Sequence, residues 1–174
     1  GLESGIFATS STQANFIGNF AGKGATSASF SNFIGFEAGL MFDFDYETLL
    51  DSFNSEQDAL DFIASITAHD VGSSNFIGYQ AGRNALFANN SNFIGYQSGK
   101  NALFASNSNF MGYQAGISAT YARDSAFIGT QAGFSATSAS YSVFLGNKAG
   151  YEAGTNQMSY LPDNAFASNF IGYQ

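Results

Sequence analysis

The residues whose types and spacing could bind a metal or a partner are the acids between positions 40 and 72. This stretch holds eight Asp and Glu residues and no Lys or Arg. An EF-hand calcium loop counted from Asp43 would need glycine at Thr48 and glutamate at Asn54, so that motif is absent. We therefore expect no metal or other cofactor here, and a partner-binding role or a lateral brace remain equal alternatives. The candidate partner-binding residues are Asp43, Asp45, Tyr46, Glu47, Asp51, Glu56 and Asp58.

No spacing of residues in the chain matches a catalytic motif. His69 is the only histidine, and no G-x-S-x-G nucleophile motif accompanies it. A glycosidase needs two carboxylates at a suitable separation, but the acids outside 40–72 stand singly along the chain, without a repeated pairing. We expect no enzyme, while a polysaccharide-binding or depolymerising segment stays open as the alternative.

The feature that must position all these residues is a repeat that opens with Asn-Phe-Ile-Gly or a close variant. Most openings follow one another at an interval of 17 residues, and the two longer intervals are insertions into the array. A fixed period of this size predicts a solenoid, in which each repeat is a coil stacked on its neighbours. The repeats begin at Asn15, Asn32, Asn75, Asn92, Asn109, Ala126, Val143 and Asn169.

Glycine recurs at two places in each repeat, so we expect it to form the corners of the coil. The first column includes Gly78, Gly95 and Gly112, and the second follows four residues later. The segments between corners are too short for helices and rich in aliphatic, aromatic and alanine residues. The sequence therefore predicts an all-β parallel β-solenoid (β-roll), with short strands between the corners and a rod of roughly 40 Å at about 4.8 Å per coil.

A constant phenylalanine and a variable aliphatic residue stand side by side in every repeat. Neighbouring residues of a strand point to opposite faces, so we expect the phenylalanines inside and the aliphatic column outside. Identical chains would cover that outer column three or more times about one axis, which favours a homo-oligomer. The alternative is a monomer in which glycine turns both residues inward. The phenylalanine column is Phe16, Phe33, Phe76, Phe93, Phe110, Phe127, Phe144 and Phe170.

Polar residues form columns of their own. Asn75, Asn92 and Asn109 recur at the start of the repeat, and Gln80 and Gln97 represent a second amide column. Stacked amides can hydrogen-bond from coil to coil, so we expect two ladders. Lys23, Arg83 and Lys100 share a third column, which we interpret as residues for solubility and protection of the rod's edge.

Two insertions interrupt the array. Residues 40–72 form an acidic insertion with a helical stripe of Ala59, Ile63 and Ile66, so we expect a small helix pair there. Residues 154–164 contain the only proline and are expected to form a loop. We interpret residues 1–174 as one array and, because both ends fall inside a repeat, as part of a longer protein.

Composition limits the classes of function. With 45% hydrophobic and 17% aromatic residues the chain is not a disordered polar coil. The net charge of -8 comes from residues 40–72, since the acids and bases elsewhere balance. We therefore expect no nucleic-acid partner, and no run of apolar residues is long enough to predict a membrane span.

The repeat itself resembles a known group of proteins. The segments SNFIGYQAG, NALFANN and SATYARD are similar to the N-T-A-I-G-Y-Q-A-type repeats of phage tail-fibre and bacterial tail-fibre-like surface proteins. More distantly, they resemble the S-V-A-I-G repeats in the heads of trimeric autotransporter adhesins, from which the 17-residue period and the phenylalanine column depart. The resemblance covers nearly all of the chain outside the two insertions. It implies a homotrimeric β-roll on a virion or cell surface, serving as a stalk or adhesive head that binds a cell-surface glycan or protein.

Overall fold

The computed structural model describes residues 1–8, 10–41, 71–153 and 169–172. Its strands form one parallel sheet in which each strand pairs with the next along the chain, and every opening residue lies beside the opening residue of the next coil. The strands are β1 (Asn15–Ile17), β2 (Asn32–Ile34), β3 (Asn75–Ile77), β4 (Asn92–Ile94), β5 (Asn109–Met111), β6 (Ala126–Ile128), β7 (Val143–Leu145) and β8 (Asn169–Ile171). The prediction of an all-β parallel solenoid with coils of about 17 residues is confirmed.

Each coil contains a single strand, whereas the sequence predicted strands between all the corners. The reason is visible in the coil that begins at Asn75, where Gln80, Asn84, Phe87 and Asn90 all have φ between 50° and 55°. A residue in this left-handed region cannot continue an extended strand, so the chain turns at short intervals. Outside the strands, isolated bridges join neighbouring coils along the column Leu86, Leu103, Thr120 and Thr137.

Glycine after each strand allows the coils to approach closely. Gly95 has φ of 132°, and a Cβ atom added to it would lie directly against the carbonyl oxygen of Gly112 in the next coil. The backbone of one coil therefore rests on the backbone of the next at this corner, and only glycine fits. The second glycine has an additional reason, because a Cβ on Gly99 would lie directly against the ring of Phe93.

The core consists of one stack of phenylalanine rings surrounded by small residues. The rings of Phe93 and Phe110 lie 4.8 Å apart and those of Phe110 and Phe127 lie 4.6 Å apart, both nearly parallel. Three columns of alanine, represented by Ala81, Ala85 and Ala88, are fully buried against this stack. One large and several small side chains per coil fill a narrow interior without leaving room for a second large residue.

Both predicted insertions lie largely outside the described residues. The helix pair falls within 42–70 and the whole predicted loop, 154–164, falls within 154–168, so both stay predictions. In the parts of the chain that the structure describes, there is no helix, and none therefore that could span a membrane.

Candidate interaction surface

A buried serine before each of the strands β2 to β7 joins the coils, and the sequence analysis did not identify it. The hydroxyl of Ser91 donates to the carbonyl oxygen of Ala105 at 2.7 Å and accepts from the backbone N–H of Ser108 at 3.1 Å. The same pair of bonds recurs down the column, which is fully or almost fully buried. The signal was present in the sequence, since serine precedes most of the strand openings at Ser31, Ser74, Ser91, Ser108, Ser125 and Ser142.

The two predicted amide columns form hydrogen-bonded ladders that run in opposite directions. The amide of Asn75 donates to Oδ1 of Asn92, in the following coil, at 2.6 Å. The amide of Gln97 instead donates to Oε1 of Gln80, in the preceding coil, at 2.8 Å. The asparagine ladder ends at Asn109, since the next strand begins with alanine. Together the ladders tie each coil to both neighbours along two lines of the rod.

The basic column connects coils, a role that its interpretation as residues for solubility and protection of the rod's edge did not include. Nη1 of Arg83 lies 2.8 Å from Oε2 of Glu37, and both side chains are only slightly exposed. Lys23 pairs in the same way with Glu3, and Nζ of Lys100 donates to Oε1 of Gln80 at 3.1 Å. In each case the cation reaches back to the amide column of the preceding coil. Sequence spacing did not reveal this contact, because it depends on how the turns bring the two columns together.

The outward residues of the strands form the first part of an exposed surface. The phenylalanine of each central strand is fully buried, while the aliphatic residue beside it faces outward. Met111 is 39% exposed and Ile128 is 40% exposed. The alternative in which glycine turns both columns inward is therefore wrong, and the expectation that the aliphatic column faces outward is confirmed.

A ladder of aromatic rings lies beside the aliphatic column, two residues after the strand. The rings of Tyr79, Tyr96 and Tyr113 stack with centroids 5.0 and 5.1 Å apart and planes within 7° of parallel. Phe36 extends this ladder by one ring at 5.4 Å from Tyr79. We call the outward strand residues together with this adjacent column the strand face.

The strand face is uncharged over its whole described length. No Asp, Glu, Lys or Arg occurs in the eight described strands or in the column two residues after them, which runs Leu2, Asn19, Phe36, Tyr79, Tyr96, Tyr113, Thr130 and Asn147. The charged residues of the described coils lie on other columns. Depletion of charge together with enrichment of tyrosine and methionine is typical of the centre of a protein interface.

The acidic candidate residues, from Asp43 to Asp58, lie outside the described residues, as does His69. Within the described ranges, no group of three or more His, Cys, Asp or Glu residues could hold a metal ion. The dispersed acids of the coils have structural contacts instead. Glu37 accepts from Gln80 as well as from Arg83, and Asp124 accepts from the amide of Asn107 at 3.0 Å.

We compared the chain with known protein families, curated proteins and solved structures. No protein-family model, no curated protein and no solved structure matches the chain. The fold and its exposed columns therefore carry the functional argument.

Proposed function

We propose that this chain is a structural segment of an extracellular or virion fibre or adhesin, forming a stalk or head that mediates surface attachment or scaffolding. One observation carries the proposal: the same cross-section repeats over the described coils, and the phenylalanine rings stack on one another from β1 to β8. A solenoid held in this way gains length with each coil while keeping its stiffness. The resemblance of the repeat to tail-fibre sequences points in the same direction.

The proposed assembly is a homotrimer in which the strand faces meet around a common axis. Two features support it: the face is uncharged, and its aliphatic column is partly exposed in the single chain. A second copy has the same axial spacing between coils, so its ridges can enter the grooves of this face along the whole rod. A partner with another spacing would match over only one or two coils.

Attachment would involve a cell-surface glycan or protein, and the acidic insertion offers the candidate residues for it. The described rod is nearly balanced in charge, and Lys23, Arg83 and Lys100 are held against acids or amides of the preceding coil. The concentration of acids within 40–72 therefore makes the insertion chemically distinct from the rod that displays it.

Sedimentation and small-angle scattering of the purified chain test the assembly. We expect the mass of three chains and a rod-like scattering profile. A mass of one chain would contradict the proposed trimer, and the scattering profile of a compact particle would contradict the proposed rod. A depolymerase assay on bacterial polysaccharides distinguishes the alternative function, because only a polysaccharide-cleaving segment would release saccharide.

A further inference from the structure

The stacked tyrosines of the strand face bring phenol groups unusually close together on an accessible surface. Tyr79, Tyr96 and Tyr113 are 42%, 43% and 49% exposed, and each ring lies directly over the next. The centroids of neighbouring rings are only 5.0 and 5.1 Å apart, so the phenols of adjacent coils are close enough to couple once the side chains rotate.

We propose that this tyrosine ladder is a site of oxidative modification, in which neighbouring phenols of one chain couple to dityrosine and link adjacent coils covalently. This inference goes beyond the structural role proposed above and concerns chains whose strand face is open, because the proposed trimer would cover that face. The expected links are Tyr79 to Tyr96 and Tyr96 to Tyr113. Tyr96 is common to both links, so the first link that a chain forms joins Tyr96 to either Tyr79 or Tyr113.

The reaction needs a one-electron oxidant, for which a haem peroxidase with hydrogen peroxide is the chemical class. The oxidant removes one electron and the phenolic proton from each of two tyrosines. The two radicals join through a carbon–carbon bond between the ring carbons beside the oxygens. The hydrogen on each of those carbons then moves to the oxygen and restores the phenol. For each link the chain therefore loses two hydrogen atoms, and these reduce one molecule of hydrogen peroxide to two of water.

The composition of the chain directs oxidation to tyrosine. It contains nine tyrosines but no tryptophan and no cysteine, the two side chains that most readily take a radical away from tyrosine. The other described stacks that include a tyrosine, Phe104 with Tyr121 and Phe134 with Tyr151, each have only one phenol. Among the described stacks, only the Tyr79, Tyr96 and Tyr113 ladder supplies two adjacent phenols.

The test treats the full-length chain, at high dilution, with peroxidase and limiting hydrogen peroxide. We expect dityrosine fluorescence in a species with the mass of one chain less two hydrogens for each link. Proteolysis followed by mass spectrometry should place the links at Tyr79–Tyr96 and Tyr96–Tyr113. Unfolding the chain in denaturant before oxidation should remove this preference.

Tyr96→Phe is the decisive variant, because it removes the partner common to both links. Phe36 holds the equivalent place one coil before Tyr79 and stacks normally, so the replacement keeps the ladder and the fold. Tyr121→Phe is the matched control from another column. We expect intrachain dityrosine to fall to background in Tyr96→Phe and to be unchanged in Tyr121→Phe. The proposal is overturned by equal yields in the two variants, by links that map elsewhere, or by links found only between chains.

Discussion

The amide of Gln80 donates a hydrogen bond of 2.7 Å to Oε2 of Glu37, a residue 43 positions earlier in the chain. The same oxygen lies 2.8 Å from Nη1 of Arg83. These contacts close the rod across the acidic insertion, so the coil after it stacks on the coil before it as if nothing intervened. Glu37 occupies the position that glutamine holds in the following coils, and it adds a charge at the place where Arg83 can pair with it.

Replacing one partner of this pair should destabilise the rod more than replacing both. Arg83→Met leaves the Glu37 carboxylate largely buried without its cation, and we expect a loss of roughly 2 kcal/mol, below the 3–5 kcal/mol of a fully buried pair. In the double variant with Glu37→Gln, the new amide can still accept from Gln80, so much of that loss should be recovered. Denaturant unfolding of the two single variants and the double variant measures this. Additive effects would show that the charges do not interact.

The buried phenylalanine stack should dominate stability. Phe93→Ala removes a ring packed between Phe76 and Phe110 and leaves a cavity in a narrow core, so we expect a loss of about 3–5 kcal/mol. Phe87→Ala is the matched control, because that ring is stacked but 38% exposed at the surface. Thermal and denaturant unfolding should separate the two variants clearly. An unchanged midpoint for Phe93→Ala contradicts the buried stack.

The serine ladder predicts a different cost, caused by unpaired backbone groups. Ser108→Ala deprives the N–H of Ser125 and the carbonyl of Ala122 of their partner in a site closed to water. Each buried group left without a bond costs about 1–3 kcal/mol. Ser106→Ala in the same coil removes an exposed hydroxyl bonded to Phe87, so it should cost under about 1 kcal/mol. If both variants unfold alike, the ladder has no special role.

These two columns show how far the sequence predicts the structure. The phenylalanine column is constant, large and apolar, so its register and its burial follow from the period alone. Ser108 stands beside Asn107 and Ser106 in what reads as a polar loop, and its burial depends on the neighbouring coil that closes over it. The contact between Arg83 and Glu37 depends in the same way on turns made by left-handed residues such as Gln80 and Asn84. The strand and loop propensities of these residues do not predict a backbone that turns at left-handed residues.

The glycine after each strand should tolerate no side chain. Gly95→Ala places a methyl group against the backbone of Gly112 and forces alanine to φ of 132°, where strain alone costs about 1–3 kcal/mol. Gly24→Asn is the matched control, since Gly24 has φ of 72° and other coils have Asn84 and Asn101 at the equivalent place. We expect the control to fold normally, as judged by circular dichroism and unfolding. Normal stability of Gly95→Ala would show that the coils do not approach as closely as described.

The rod should fold without the acidic insertion. Leu40, Met41 and Val71 are already buried in register, with the N–H of Met41 bonded to Lys23 and the carbonyl of Val71 bonded to Ser31. Replacing residues 42–70 with Ala-Leu-Phe, the residues that follow Asn84 in the next coil, should therefore rebuild a regular coil.

We expect the shortened chain to keep its circular dichroism spectrum and oligomeric mass, and to unfold at or above the original midpoint because a long excursion no longer has to be closed. If the insertion binds the surface partner, the shortened chain should also lose adhesion to cells that the intact chain binds, while the acid-to-amide variants Asp43→Asn and Asp45→Asn lose it in part. Loss of folding would show that the insertion completes the core. Full adhesion by the shortened rod would instead place attachment on the coils themselves.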